Sequence, residues 1–333
     1  MDKTTCKEFG IDLNQYKMVG DLEEGVMAMD AALLTSPNAG VPVELLTYFD
    51  NRAIKILTAK RTATEIFNEV KKGDRTTVMA KFRQLEDTGF TQPYSDFSDN
   101  GKADVNYNYP NRENYLFETT IQYGELEEEM AARAKANLVA DKQQSAANII
   151  AIDTNRFYFN GVSGLENYGI LNQPNLPVAI TAANGAAGTP QWSTKTGTEI
   201  YNDVVAMFSD ISSRAQGHIS MISPMKLVVG PTSNAQLNKL NAFGTESVLA
   251  VIKRSFPNLE VVVAPEYDDA TKKVQLIVTD AGDGIPTGEC AFSEKFHAHR
   301  IVPGLSHYRQ KASAGVYGAI VYRPLFISTM TSI

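Results

Sequence analysis

The spacing of apolar residues changes several times along the chain, and each change predicts a different element. From Glu125 onward, Leu126, Met130, Ala134, Leu138, Ala146 and Ile150 recur at intervals of four or eight, the repeat of one helical face. Glu125, Glu127, Glu128 and Glu129 crowd the first turns, where carboxylates favour the positive end of the helix dipole. The pattern runs to about Phe159 and predicts one long helix over 123–159, roughly 50 Å at the α-helical rise. Gly161 and Gly164 are placed to end it. Small residues such as Ala134, Ala146 and Ala147 let another element approach closely.

Further along, an α/β rhythm appears. Thr198–Gly217 reads as an amphipathic helix through Ile200, Val204, Phe208 and Ile211. Lys226–Val229 is a short strand and Ser233–Leu240 a capped helix. Ser247–Ser255 is a second helix, followed by strands at Leu259–Val263 and Val274–Thr279. Residues 175–300 therefore predict a compact sheet with helices on its faces. Val316–Ile333, dominated by strand formers, is expected to return to the sheet that packs on the long helix.

The first half is more mixed. Leu22–Leu34 could form a short helix within an arm, and Ser36–Gly40 (SPNAG) is a turn-rich hinge. Leu45, Phe49, Ile54 and Ile56 allow either a helix or a broken strand, while Arg75–Gln84 turns β-like. Residues 86–112 depart most from a core-forming pattern: rich in Gly, Asp, Asn and aromatics, poor in aliphatics. Asn100–Gly101 is a hairpin-turn signal, because both residues tolerate positive φ. Val105, Tyr107 and Tyr109 alternate with Asp104, Asn106 and Asn108. A long loop or hairpin with so little apolar surface of its own needs an external surface to order it, and is read as a contact arm rather than a floppy insertion.

Composition adds bounds. The 333 residues are 43% hydrophobic and 21% charged, an ordinary globular balance with room for more than one packed unit. A net charge of -7 argues against a general nucleic-acid binder, though not against a wall that encloses nucleic acid. Two cysteines, Cys6 and Cys290, do not make a stapled scaffold, and a reducing assembly compartment is expected. The start of the chain lacks the apolar stretch of a secretion signal, and no apolar run is long enough for a membrane span.

Candidate chemistry is thin. His297 and His299 would share a strand face, but no cysteine joins them as a metal ligand. Gly230–Asn234 (GPTSN) resembles a strand–turn–helix opening without the glycines or lysine of a phosphate loop. Asp280–Gly284 reads as a turn rather than a calcium loop. The glutamates at the helix start need no catalytic role. No catalytic, cofactor or metal site is expected.

With these residues in view, the chain resembles the major capsid proteins of tailed bacteriophages, whose Hong Kong 97-like fold is shared with encapsulin compartments. The most specific passage is Phe157–Pro177, where an aromatic–Gly exit from the long helix leads into Gly169, Ile170, Leu171, Asn172, Pro174 and Leu176. The resemblance implies an α+β fold with an N-terminal arm at 1–50 and a peripheral domain beginning at 51–174. That domain would hold an extended β-hairpin loop at about 80–118 and a spine helix at 123–159. An axial α/β domain would fill 175–305, and 306–333 would supply return strands of the peripheral domain. Phe90, Tyr94, Phe97, Lys102, Tyr107, Tyr109 and Arg112 on the loop are the expected intersubunit contacts.

The implied partners are further copies of the chain, as hexamers and pentamers of an icosahedral shell around double-stranded DNA, without sequence-specific binding. Separate scaffolding, portal and decoration proteins are compatible with it, and no membrane is involved. Assembly is expected in the host cytoplasm, with the product in the virion capsid. The short arm leaves no room for a built-in scaffolding domain, and no Lys–Asn crosslink is expected at Lys102 or Asn106. An encapsulin-like compartment and an α/β enzyme of unknown reaction are the alternative readings.

Overall fold

A computed structural model describes residues 60–97, 101–240, 246–269 and 272–333. The expected N-terminal arm, its Leu22–Leu34 helix, the ambiguous stretch through Ile56, and Cys6 lie outside the described residues. In chain order the elements are α1 (Ala63–Ile66), β1 (Glu69–Lys71), β2 (Met79–Lys81), β3 (Gln84–Phe90), β4 (Lys102–Asn108), β5 (Asn111–Glu113) and β6 (Tyr115–Gly124). Then come α2 (Glu125–Arg133), α3 (Leu138–Asn160), β7 (Ile180–Thr181), α4 (Gly197–Ala215), β8 (Met225–Val229) and α5 (Pro231–Gln236). The chain closes with α6 (Val248–Ser255), β9 (Leu259–Val263), β10 (Lys273–Val278), β11 (Gly288–Ala298), β12 (Val302–Pro303), β13 (His307–Val321) and β14 (Ile327–Thr331).

Two five-stranded sheets carry the structure. In the first, the order is β1-β11-β13-β12, and β6 also pairs with β13. One face of this sheet packs on α3: Ile121 and Tyr123 meet Ala146, while Ala312 and Ala314 meet Ile150. The second sheet has the order β7-β14-β10-β8-β9. Its strands alternate as half-covered strands should. Leu227, Val229, Val274, Leu276 and Val278 join Ile200, Val204, Met207 and Ile211 of α4 in one core. Val228, Val262 and Ile277 join a second core, with Tyr158 and Phe159 of α3 and Cys290, Val316 and Ala319 of the first sheet. At about 1.5–3 kcal/mol per large apolar side chain, these two layers are the main favourable term holding the unit together.

The expected single helix over 123–159 is two helices. Helix α2 ends in a Schellman motif, with Ala136 N–H donating to Ala131 O at 2.9 Å and Lys135 N–H to Ala132 O at 3.0 Å. Lys135 takes a φ of +58°, a position usually given to Gly or Asn. Asn137 restarts the helix as an N-cap, its Oδ1 accepting from Ala140 N–H at 3.3 Å. The apolar stripe divides with it: Ala146 and Ile150 are buried, but Leu126 and Met130 of α2 are exposed.

Three other expectations are corrected. Val316–Ile333 does not return to one sheet, since β13 lies in the first and β14 pairs with β10 in the second. Conversely β11, expected with the second unit, pairs with β13 in the first. Hydropathy marks these segments as buried strands but does not say which sheet receives them. The helix expected at Ser233–Leu240 starts earlier, with Gly230 at its cap and Pro231 in its first turn, a placement that Pro tolerates well.

Candidate intersubunit surface

The hairpin of β3 and β4 is antiparallel, from Gln84 opposite Asn108 to Phe90 opposite Lys102. It forms a two-stranded sheet of its own. The connection spans 91–101, longer than a two-residue turn, and residues 98–100, with Asn100 of the expected turn signal, lie outside the described residues. With no second layer, the apolar side chains here face solvent. Phe97 and Tyr94 are 101% and 91% exposed, and Phe90, Tyr107 and Tyr109 are each more than half exposed. Lys102 is exposed near the tip. Tyr107 and Tyr109 stack with ring centroids 6.4 Å apart, and the Arg83 guanidinium lies 5.7 Å from the Tyr107 ring.

Arg112 departs from the expected set. It is buried, its guanidinium lies 5.0 Å from the Tyr168 ring, and its Nη1 donates to Asn111 O at 2.8 Å. Burial holds its pKa below the ordinary value, against the opposing charges of Tyr168 and Glu166. Arg112 therefore sits buried at the root of the hairpin, where β2 pairs with β5. Sequence reasoning missed Leu85, an exposed aliphatic paired across the hairpin with Tyr107. An isolated aliphatic in a polar strand was the signal.

The passage after α3 has a local physical cause. Gly161, at a φ of +63°, turns the chain back along the helix it has just left. Ile170 N–H donates to Tyr158 O at 2.9 Å and Leu171 N–H to Phe159 O at 3.0 Å, so helix-end carbonyls find partners. Asn172 locks the return, its Nδ2 donating to Asn160 O at 2.5 Å and its Oδ1 accepting from Gly169 N–H at 2.6 Å. A Cβ at Gly169 would lie 2.2 Å from the Phe159 carbonyl, so only Gly fits. The Gly-Ile-Leu-Asn run is a helix-terminating clasp.

The weaker chemical candidates resolve into structure. His297 and His299 do sit together, with ring centroids 4.7 Å apart. His297 pairs with Glu294 at 3.1 Å and His299 Nε2 lies 3.0 Å from Ser313 Oγ. Among the described residues no group of three or more His, Cys, Asp or Glu side chains could hold a metal ion. The GPTSN turn does open a helix, but Asp268 occupies its start. Thr232 N–H and Oγ1 donate to that carboxylate at 2.8 and 2.5 Å, filling the place an anion would take. Asp280–Gly284 is a turn: Asp280 and Asp283 accept from Gly282 and Ile285 N–H, and Asp283 pairs with Arg323.

A cleft of about 320 Å³ is lined by Glu69, Asn155, Tyr158, Glu294 and Lys295 among others. Several of its polar groups are already bonded within the chain. Tyr158 Oη donates to Glu69 Oε1 at 3.2 Å, Lys295 pairs with Glu69, and Asn155 Nδ2 donates to Glu266 at 2.6 Å. Burial pushes the Tyr158 hydroxyl and the adjoining Cys290 thiol up, away from their nucleophilic forms.

Comparison with known proteins gives this geometry a family. No curated protein sequence matches the chain. The capsid of Myoviridae phage XM1 superposes with a TM-score of 0.74 at 15% identity, covering 89% of this chain and 100% of that one. The capsid of a native GTA particle gives 0.61 at 14% identity, with 90% and 99% covered. The SrpI encapsulin of Synechococcus elongatus gives 0.57 at 10% identity, with 87% and 94% covered. These likenesses establish an α+β Hong Kong 97-like capsid fold. The sequence profile of the Pa193 gp26 major capsid protein matches residues 32–332, nearly the whole chain. The chain belongs to the Pa193 gp26 family of major capsid proteins, structural components of the virion shell.

Proposed function

We propose that this chain assembles as hexamers and pentamers into an icosahedral shell enclosing double-stranded DNA. In this reading the first sheet with α3 is the peripheral domain and α3 its spine helix. The second sheet with α4 and α6 is the axial domain, turned toward the symmetry axes. The β3–β4 hairpin is the extended loop, lying on a neighbouring copy through Phe90, Tyr94, Phe97, Lys102, Tyr107 and Tyr109. Scaffolding, portal and decoration proteins would be separate chains, and assembly would take place in the host cytoplasm.

One observation carries the reading: the hairpin displays aromatic side chains that no other described part of the chain covers. Fully burying one such ring contributes about 2 kcal/mol, so Phe90, Tyr94 and Phe97 together offer about 6 kcal/mol. Association costs at least about 4 kcal/mol in lost freedom, which leaves each contact weak alone. Repetition around closed axes makes the sum large and keeps single contacts reversible while the shell corrects its errors.

The test is electron microscopy of the expressed chain, alone and with scaffolding protein from the same virus, beside a variant whose 84–108 hairpin is replaced by a short Gly-Ser linker. The parent is expected to form uniform icosahedral shells or rings of five and six, and the variant to remain unassembled with an unchanged melting temperature. A parent that stays monomeric in both settings, or a variant that assembles normally, overturns the proposal. Shells purified from infected cells should hold DNA; shells carrying only protein cargo would point to an encapsulin-like compartment.

A further inference from the structure

Along the first part of β13, from Tyr308 to Ala314, even-numbered side chains face α3. Tyr308 and Ala312 pack into its clusters, and Gln310 Oε1 accepts from Gln143 Nε2 at 2.9 Å. Alternation puts Arg309, Lys311 and Ser313 on the opposite face. There Arg309 and Lys311 line a groove with Thr120, His299, Arg300 and Val302. Lys311 is paired with Glu118 at 2.8 Å. Arg300, Arg309 and nearby Arg75 are exposed and have no acidic partner among the described residues. The excess of positive charge is felt by His299, whose pKa is lowered by desolvation first, then by Arg75, His297 and Lys311, against the opposing charge of Glu294. Like charges gathered in this way repel unless a partner of opposite sign arrives.

The matching charge sits on α2, at one end of the same sheet. Glu127 pairs with Lys142 of α3 at 2.7 Å, which ties α2 to the α3 face. Glu125, Glu128 and Glu129 on α2 are exposed, with no cationic partner among the described residues. Glu125 N–H donates to Ser306 O at 3.2 Å, so this acidic helix starts at the end of the sheet where the arginine strand begins. Among the described residues no ion pair joins the two groups within one copy.

We propose that the groove of Arg300 and Arg309 in one copy, with Arg75 nearby, receives Glu125, Glu128 and Glu129 of a neighbouring copy. The inference rests on the reading that copies of this chain assemble, and it names one surface through which they do. A contact between two different faces of identical chains is heterologous, and its repetition around an axis closes a ring. Guanidinium–carboxylate pairs can be bidentate, so the contact would fix the angle between copies as well as hold them. The groove could also take a phosphate. The unpaired glutamates at the same end of the sheet favour a second copy.

Charge exchange tests it. Arg300→Glu with Arg309→Glu, and Glu125→Arg with Glu128→Arg, are each expected to lower the assembled fraction about tenfold by sedimentation, a change of the size single interface charges produce. All four changes together should restore assembly to within about twofold, with circular dichroism unchanged throughout. A single reversal that assembles like the parent, or a combination no better than the worse reversal, overturns the proposal. So does a result in which the glutamate reversal is silent while inorganic phosphate promotes assembly of the parent alone, which would make the groove an anion site. A second measurement is independent of shell formation. Arg309→Cys and Glu128→Cys variants, with Cys6 and Cys290 replaced by alanine, are mixed and treated with a short bismaleimide. Crosslinked dimer from the mixture without shells would sustain the contact and remove the shell reading; shells without crosslinked dimer would remove the contact.

Discussion

At the scale of single residues, the clasp after α3 shows how a sequence signature becomes a physical requirement. Asn172 accepts from one backbone N–H and donates to the last carbonyl of a helix. Asn172→Ala removes both bonds and is expected to cost about 1–2 kcal/mol, read as a lower melting temperature. Asn172→Asp keeps the acceptor but sets a carboxylate against the Asn160 carbonyl at the negative end of the helix dipole, and should cost more than alanine. An Asn172→Asp variant as stable as the alanine variant would show that repulsion at the helix end does not exceed the acceptor bond the carboxylate keeps. Lys135 offers the opposite sign. It holds a left-handed backbone at the close of α2 with a side chain that disfavours it, so Lys135→Gly should stabilise by about 1 kcal/mol in thermal unfolding.

At the scale of elements, legibility followed the strength of the local signal. Helix α4 was readable because Ile200, Val204, Phe208 and Ile211 repeat cleanly, and all four are buried. Strand β9 was readable from its run of valines. The break between α2 and α3 was not, because its left-handed residue is a lysine and the usual Gly or Pro is missing. The N-cap Asn137 was a legible cue, outweighed by a stripe that continues through the break at spacings of four. Arg112 looked like the other polar and aromatic residues of its loop; only the fold brings Tyr168 beneath it. The hairpin itself was legible as a segment without a core, because a strand pair needs a second layer to bury its apolar side chains. Phe90→Ser, Tyr94→Ser and Phe97→Ser combined should therefore leave the melting temperature of the unassembled chain unchanged and raise the concentration needed for assembly at least about tenfold, as measured by light scattering.

At the scale of the whole molecule, charge pairing predicts how acid acts on the fold. The hydrogen bonds and charge of Arg323 lower the pKa of Asp283 to about 2, below the ordinary carboxylate range. Glu127 and Glu199 are shifted the same way, the first chiefly by Lys142 and the second chiefly by the Thr196 backbone N–H. A carboxylate with a depressed folded pKa contributes stability that is complete above its unfolded pKa and disappears as pH falls through the folded one. The unassembled chain should thus lose stability progressively below about pH 4. Asp283→Asn should lower the melting temperature at neutral pH and leave it unchanged near pH 2, which flattens the loss between about pH 4 and pH 2 in melting experiments.

The path of the chain between the two sheets has a mechanical consequence. Beyond the exposed turn at Asp280–Gly284, the chain supplies β11, β12 and β13 to one sheet and β14 to the other. A protease cut in that turn would not release a loose half. The shorter fragment would stay stitched into both sheets, and its departure would require two sets of strand pairs and both cores to open together. A nicked subunit should run as two bands on a denaturing gel and as one species in gel filtration. A wall built from such subunits could be cut in its chains and still hold its shape.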